Sequence, residues 1–332
     1  MKRRIIVPLL AASLSCGPIS ANSFAFQEHG KAITSVEEAG DDYQSQGEYL
    51  GSSEDGEIKL GAQIIALGEG KFAGRFYIGG LPGDGWDRSG EFVEGTGKRD
   101  GDSVVFTRAD GDSGKAILKG ETIQVFDPDG NAFMKMTKQS RKSPTLGAKA
   151  PADAIVLFDG KSADAFENGK LVDGKYLAAS NCRSKEKLGS HQLHIEFRTP
   201  FMPTSQGQAR GNSGVYVQGR YEVQVLDSFG LEGKDNECGG IYSLGQPKVN
   251  MCFPPLTWQT YDIDFTAASK NKAGEAVPAR ITVKHNGVVI HDDVSLTQGT
   301  PGGLPMGDGP ESLFLQDHGN PVVFRNIWVK KK

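Results

Sequence analysis

Short runs in which apolar and polar residues alternate dominate the chain. Phe72, Gly74, Phe76 and Ile78 alternate with Ala73, Arg75 and Tyr77, and Val104 with Phe106, Ile123 with Val125 and Met134 with Met136 repeat the pattern. In an extended strand successive side chains point to opposite faces, so each run predicts a strand with one face on a core. Turn signals separate them: Leu67–Gly70, Arg99–Asp102, Leu118–Gly120 and Asp127–Gly130. Roughly six to eight such strands over residues 41–138 predict a small barrel or sandwich. The Asp-rich turns lack the ligand series and bidentate Glu of a calcium hand, which favours hairpins. Before them, residues 27–40 show only a weak pattern, a short helix or an unstructured start. The glycine-rich loop Gly79–Trp86 ends on an aromatic that packs, or that reaches a ligand or the next domain.

The alternation stops over residues 139–152, where Arg141, Lys142, Pro144, Lys149 and Pro151 give a linker composition. It resumes over residues 153–332, with strands predicted at 155–158, 175–179, 192–198, 214–218, 222–226, 259–265, 280–285, 288–291, 313–316 and 322–329. Asn286-Gly287 between two such runs is a two-residue hairpin signal. No helical period is long enough to carry a crossover between parallel strands. The fold class is therefore all-β, with a two-sheet antiparallel sandwich as the larger domain.

Two of these strands carry unusual polar faces. In His191–Arg198, Leu193, Ile195 and Phe197 alternate with His194, Glu196 and Arg198. In Tyr221–Leu226, Tyr221, Val223 and Val225 alternate with Glu222, Gln224 and Leu226. Carboxylates, an amide, an imidazole and a guanidinium stand where Thr, Ser and Lys are usual. If the two strands share a sheet, Glu196 and Glu222 project from one surface, which makes that surface the candidate site. Charges on alternate strand positions also form ordinary solvated faces, so the argument rests on convergence across strands.

Composition narrows the class. The formal charge is −4, and residues 1–25 carry Lys2, Arg3 and Arg4 with no acid, so the remainder is more acidic still. No basic stripe suits a phosphate backbone, and nucleic acid is not an expected partner. The basic start, the apolar run Ile5–Leu14 and the small residues after it form a secretory signal peptide over residues 1–25, too short for a permanent span. Export to the periplasm or the outside is expected, with a lipid anchor on Cys16 as the alternative; no transmembrane segment is predicted later. Of the remaining Cys182, Cys238 and Cys252, the last two form a pair that would contribute roughly 3 kcal/mol if bonded, or all three stay as buried thiols. No spacing identifies a metal-ligand set, so the sequence identifies no cofactor and leaves a divalent ion open.

Seven motifs then occur in one order: LFDGKS (157–162), LHIEFR (193–198), GNSGVYVQGRYEVQVLDSFG (211–230), GGIY (239–242), TWQTYDIDF (257–265), HNGVV (285–289) and LQDHGNPVVFRNIWV (315–329). Together they resemble the 3-keto-disaccharide hydrolase family, described as 3-keto-glucoside lyases and 3-keto-2-hydroxyglucal hydratases. The likeness spans residues 153–332. It implies a concanavalin A-like jelly-roll sandwich whose concave sheet holds an oxidised (3-keto) glucoside or disaccharide. Residues 41–138 resemble an accessory β module, to which no activity is attached.

A ketone at C3 acidifies the hydrogen on C2, so a carboxylate can remove it and the C1–O bond can break by elimination, after which water adds to the product. That route needs a base, a proton donor and a group to stabilise an enolate. Glu196 and Glu222 are the candidate proton-transfer residues, with His318 as donor and Arg198 or His318 beside the enolate. Asn212, Gln224, Asp227 and Gln316 have the right chemistry for sugar hydroxyls, and Tyr216, Tyr242 and Trp258 for stacking. Trp258 and Trp328 serve a core equally well, and Asp227 serves a turn. The closely spaced acid triad of laminarinase-type jelly rolls is missing, since Gln224 stands where an acid is needed, which disfavours a retaining glycosidase. The competing readings are a non-catalytic carbohydrate-binding module and a surface-assembly protein.

Overall fold

The computed structural model describes residues 30–53 and 56–332. The leader and Cys16 lie outside the described residues. After a short helix, Gly40–Ser45, eight antiparallel strands close into a barrel: β1 (Gly47–Ser52), β2 (Lys59–Gly68), β3 (Lys71–Ile78), β4 (Phe92–Asp100), β5 (Ser103–Arg108), β6 (Lys115–Lys119), β7 (Thr122–Phe126) and β8 (Ala132–Gln139). Each strand pairs with its sequence neighbour and β1 closes on β8. Tyr49, Ile64, Phe72, Phe106, Leu118, Ile123 and Met136 fill the interior. The Asp-rich segments at 99–102 and 127–130 are the tips of antiparallel hairpins.

The second domain is a two-layer sandwich. Its strands are β9 (Ile155–Phe158), β10 (Phe166–Glu167), β11 (Leu171–Val172), β12 (Tyr176–Ala178), β13 (Cys182–Leu188), β14 (His191–Arg198), β15 (Ser213–Val217), β16 (Tyr221–Val225), β17 (Gln259–Thr266), β18 (Ala279–His285), β19 (Val288–Leu296), β20 (Glu311–Leu315) and β21 (Val323–Lys331). The larger sheet runs β11-β12-β21-β14-β17-β18-β19, with β9 also on β21; the smaller runs β10-β13-β20-β15-β16. Leu193, Ile195 and Phe197 from one sheet meet Val215, Val223, Val225 and Leu315 from the other in a single core. Asn286 and Gly287 take positive φ (49° and 84°) in the β18–β19 turn, as a two-residue hairpin requires. β13 escapes the alternation pattern because its inward positions are Cys182, Ser184 and Leu188, with no β-branched or aromatic residue.

The two domains share side chains across their junction. Ile65 of the barrel belongs to the sandwich core, and Phe201 and Leu256 of the sandwich belong to the barrel core. Arg88 donates to the carbonyls of Gly233 (2.6 Å) and Pro247 (3.0 Å). The glycine-rich loop abuts the sandwich, since a side chain at Gly83 would meet Met251 and Val288. Trp86 of that loop packs on Tyr77, with ring centroids 4.6 Å apart. Cys182, Cys238 and Cys252 are free, buried thiols rather than containing a disulfide; Cys238 Sγ lies 3.3 Å from the Tyr261 hydroxyl. Among the described residues no helix is long and apolar enough to cross a membrane.

Candidate active site

The structure separates the two glutamates. Glu196 is on β14 of the larger sheet and Glu222 on β16 of the smaller one. Each points away from the core that lies between the sheets, because its strand neighbours Ile195 and Phe197, or Tyr221 and Val223, fill that core. They therefore occupy opposite outer faces, and the shared surface expected from the alternation does not exist. Period two separates inward from outward positions; a sandwich has two outsides.

Glu196 is enclosed on its face by residues 143–148, the segment whose composition reads as a linker. The Gly147 N–H donates to Glu196 Oε1 at 2.6 Å, Asn326 Nδ2 donates to the same oxygen at 2.8 Å and Arg325 Nε to Oε2 at 2.7 Å. Thr145 donates to Asp262 Oδ2 at 2.6 Å, Asp262 Oδ1 meets His194 Nδ1 at 2.6 Å, and Trp328 Nε1 donates to the Ala148 carbonyl at 3.2 Å. The segment is thus a strap bonded along the outside of the larger sheet. Burial works to raise the Glu196 pKa, but the bonds from His194, Asn326, Gly147 and Arg325 prevail and hold it down to about 2. A carboxylate with its oxygens so committed is a poor proton acceptor. These bonds tie the strap to the larger sheet through Glu196, and the structure does not bring this candidate proton-transfer residue beside Glu222.

Arg198 and Trp258 share that face and are withdrawn from the Glu222 site for the same reason. Arg325 stacks 4.0 Å over the Trp258 ring and Arg198 5.2 Å from it, with Tyr176 at 5.0 Å. Asp227 lies apart from the Glu222 carboxylate in a buried ion pair: Arg210 Nε donates to its Oδ2 at 2.8 Å, both side chains are buried, and the same guanidinium reaches the Ala66 carbonyl of the barrel at 3.4 Å. The Asp227 carboxylate is thus engaged, through Arg210, at the junction of the domains. His318 is exposed beyond β20 and takes no part in the hydrogen bonds around Glu222. The structure does not join it to the proposed acid–base pair.

The remaining candidates converge on the outer face of the smaller sheet. Antiparallel register sets Tyr216 opposite Glu222 and Gly214 opposite Gln224. The Tyr216 hydroxyl donates to Glu222 Oε2 at 2.8 Å, and Gln316 Nε2 donates to that hydroxyl at 3.3 Å. Gly214 leaves the room that the carboxylate occupies, since a Cβ there would run into Glu222 Oε1 and the Tyr216 ring. The GGIY segment lines the edge of β16: the Tyr242 N–H donates to the Glu222 carbonyl at 3.1 Å and the Gln224 N–H to the Gly240 carbonyl at 2.9 Å. Gln208, a loop residue without any periodicity to reveal it, accepts from Gln224 Nε2 (3.0 Å) and Asn212 Nδ2 (3.1 Å) through one oxygen. Thr300 was equally invisible, and its Oγ1 accepts the Glu222 N–H at 2.9 Å.

The electrostatics of this face are the opposite of those around Glu196. Burial pushes the Glu222 pKa up to about 7, against the opposing bond from Tyr216. Burial first, and the Glu222 charge second, keep the Tyr216 and Tyr242 phenols protonated. Asn212 Oδ1 and Gln224 Oε1 are buried acceptors without a hydrogen-bond partner among the described residues. Each such deficit costs about 1–3 kcal/mol, and deficits of this kind gather where a ligand is to be held. Among the described residues no three His, Cys, Asp or Glu side chains are grouped to hold a metal ion.

Comparison with known proteins follows the sandwich. A solved structure from Parabacteroides distasonis ATCC 8503, provisionally named a glycosyl hydrolase, is 35% identical, with a TM-score of 0.50, over 55% of this chain and 85% of its own. A second from the same organism, with the same provisional name, is 17% identical, with a TM-score of 0.39, over 54% of this chain and 94% of its own. No curated protein matches. Residues 153–330 match the family of 3-keto-alpha-glucoside-1,2-lyase-like domains. With more than half its length in that match, and with the motif order read above, the chain belongs to the 3-keto-alpha-glucoside-1,2-lyase-like family.

Proposed function

We propose that the chain is a glycoside-acting enzyme that cleaves 3-keto glucosides by elimination across C1–C2, with Glu222 as the proton-transfer residue. The observation that carries this reading is a buried carboxyl with a pKa of about 7, bonded to Tyr216 and flanked by amides with unused acceptors. Such a group is basic enough at neutral pH to take a proton and acidic enough to return it. The name of the 35% identical neighbour supports action on glycosides, and the family match supports the 3-keto substrate.

In the reaction, Glu222 accepts the C2 proton, the electron pair of that C–H bond forms the C1=C2 double bond, and the C1–O bond breaks. The departing alkoxide takes up a proton and leaves as the alcohol. The Tyr216 and Tyr242 hydroxyls, kept protonated beside this carboxyl, are suited as donors to the enolate oxygen and the leaving oxygen once substrate displaces the Tyr216–Glu222 bond. Asn212 and Gln224 accept hydrogen bonds from ring hydroxyls. Addition of water, hydroxyl to C1 and proton to C2, completes net hydrolysis by reversing the roles of the same groups. The leader supports export, which cell fractionation tests.

The test offers a 3-keto disaccharide and its unoxidised parent, with and without deuterium at C2. The reading expects turnover of the oxidised sugar alone, slowed by deuterium. Turnover of the parent at a comparable rate, or of neither sugar with saturable binding of both, would replace it with a glycosidase or a binding module respectively.

A further inference from the structure

The barrel and the sandwich enclose an open cleft of about 750 Å³. Its walls come from the helix and β1 (Tyr43–Glu48), from the end of β8 and the residues leading to the strap (Lys138–Arg141), and from the sandwich loop at Phe253–Thr257. No member of the Glu222 cluster lines it. A space of this size at a domain junction suits a small organic ligand.

The chemistry of the walls narrows the ligand. Several fixed charges there are paired within the protein, Arg141 on Glu48, Arg99 on Asp42 and Asp102 on Lys119, while the exposed carboxylates of Asp41 and Glu121 on the rim pair with no basic residue among the described residues. The Lys138 ammonium donates to the Gln44 carbonyl. An anionic ligand would therefore have to break an internal pair and would face the free Asp41 and Glu121 carboxylates, which instead accept hydrogen bonds from the hydroxyls of a neutral one. Besides these two carboxylates the wall offers amide, hydroxyl and ring: Gln44, Gln46, Gln139, Ser140, Thr257 and the half-buried Tyr43. Gln46 is 3% exposed. Its Oε1 accepts the Ala66 N–H at 2.9 Å, while its Nε2 is buried without a partner among the described residues. A buried donor left unsatisfied beside a cleft of polar groups is a deficit that a ligand hydroxyl would fill.

We propose that this cleft is a second, non-catalytic binding site for a neutral saccharide of about disaccharide size, with walls from both domains. Such a ligand binds only while barrel and sandwich are docked, so it ties the accessory domain to substrate capture and stabilises the junction by mass action. The inference does not depend on the elimination chemistry.

Calorimetry on the full chain with cellobiose, maltose and trehalose, none of them oxidised, tests it. At least one is expected to bind saturably to the wild type and equally to Glu222→Gln. Binding should weaken at least about tenfold in Ser140→Trp, which sets an indole from an exposed position on the cleft wall. Turnover of a 3-keto sugar at saturation should be unchanged in that variant. If circular dichroism finds Ser140→Trp unfolded, Gln44→Ala on the same rim replaces it, with a loss of at least about threefold. The proposal is overturned if none of the three sugars binds the wild type, if folded cleft variants bind as well as wild type, or if Glu222→Gln alone abolishes binding. Because binding is read without turnover, failure of the lyase reaction leaves this test standing.

Discussion

Replacing Glu196 by Gln should loosen the strap and leave the chemistry intact. The carboxylate is fully buried, with bonds from the Gly147 N–H, Arg325 and Asn326 at 2.6, 2.7 and 2.8 Å. Removing one partner of a buried ion pair costs about 3–5 kcal/mol. The Arg325 side chain is 32% exposed, so water recovers part of its solvation and the lower end applies, about 3 kcal/mol. Glutamine also turns an NH₂ toward one of these donors. For a domain of this size the melting temperature should fall by roughly 6–12 °C. The pH dependence carries a second signature. The folded pKa of Glu196 is about 2, below its ordinary 4.5; its contribution is present above pH 4.5 and is lost as the pH falls toward 2. The His194 pKa is raised, Asp262 and Glu196 overcoming its burial. Its contribution is complete at low pH and is lost as the pH rises through the folded value. Thermal melts from pH 2 to 9, with turnover alongside, test this. A Glu196→Gln protein as stable as wild type but inactive would refute the structural role.

Three further outcomes follow from the same geometry. The rate of elimination should rise with pH through about 7, where Glu222 loses its proton, and a pH–rate profile without a limb in that region would exclude it as the base. Gly214→Ala should fold with a loss of about 1–3 kcal/mol from overpacking and turn over at least about tenfold more slowly, because the new methyl displaces the Glu222 carboxylate; wild-type kinetics would show that the carboxylate position is unimportant. Asp227→Asn should leave the buried Arg210 without its counter-charge. A loss of roughly 3–5 kcal/mol in denaturant titration is expected, with faster proteolysis between the domains, and an unchanged transition would deny the pair its docking role.

Much of this architecture is legible in the sequence. Alternation finds ten strands of the sandwich, nine of them near their observed bounds because each has a clear apolar face, while the one expected at 288–291 continues to Leu296 through the polar run His291–Asp293; Asn286-Gly287 marks its hairpin. Two kinds of information are not local. Glu196 and Glu222 occupy equivalent outward positions on their strands, and only the pairing of β14 with β17 and β21, and of β16 with β15, assigns them to different sheets. The strap has the composition of a linker because its contacts are made by backbone groups and short hydroxyls, at Gly147, Ala148, Ser143 and Thr145. Those residues look the same in a free loop and a bonded one. Gln208 and Thr300 lie in loops, where no period exposes a functional side chain. Glu222, Gln224 and Tyr216 stand at unusually polar positions of adjacent strands, and the structure gathers Asn212, Tyr242 and Gln316 around them.

On the proposed mechanism the chemistry belongs to the outer face of the smaller sheet and not to that of the larger. Single-turnover measurements of C2–H cleavage on a 3-keto disaccharide by Glu222→Gln, with Glu196→Gln as the comparison, test it most directly. Removal of a general base predicts a fall of about 10²–10⁴-fold for Glu222→Gln, with an unchanged circular dichroism spectrum, and a near wild-type rate for folded Glu196→Gln. Full cleavage by Glu222→Gln, or its loss only in Glu196→Gln, would contradict the account.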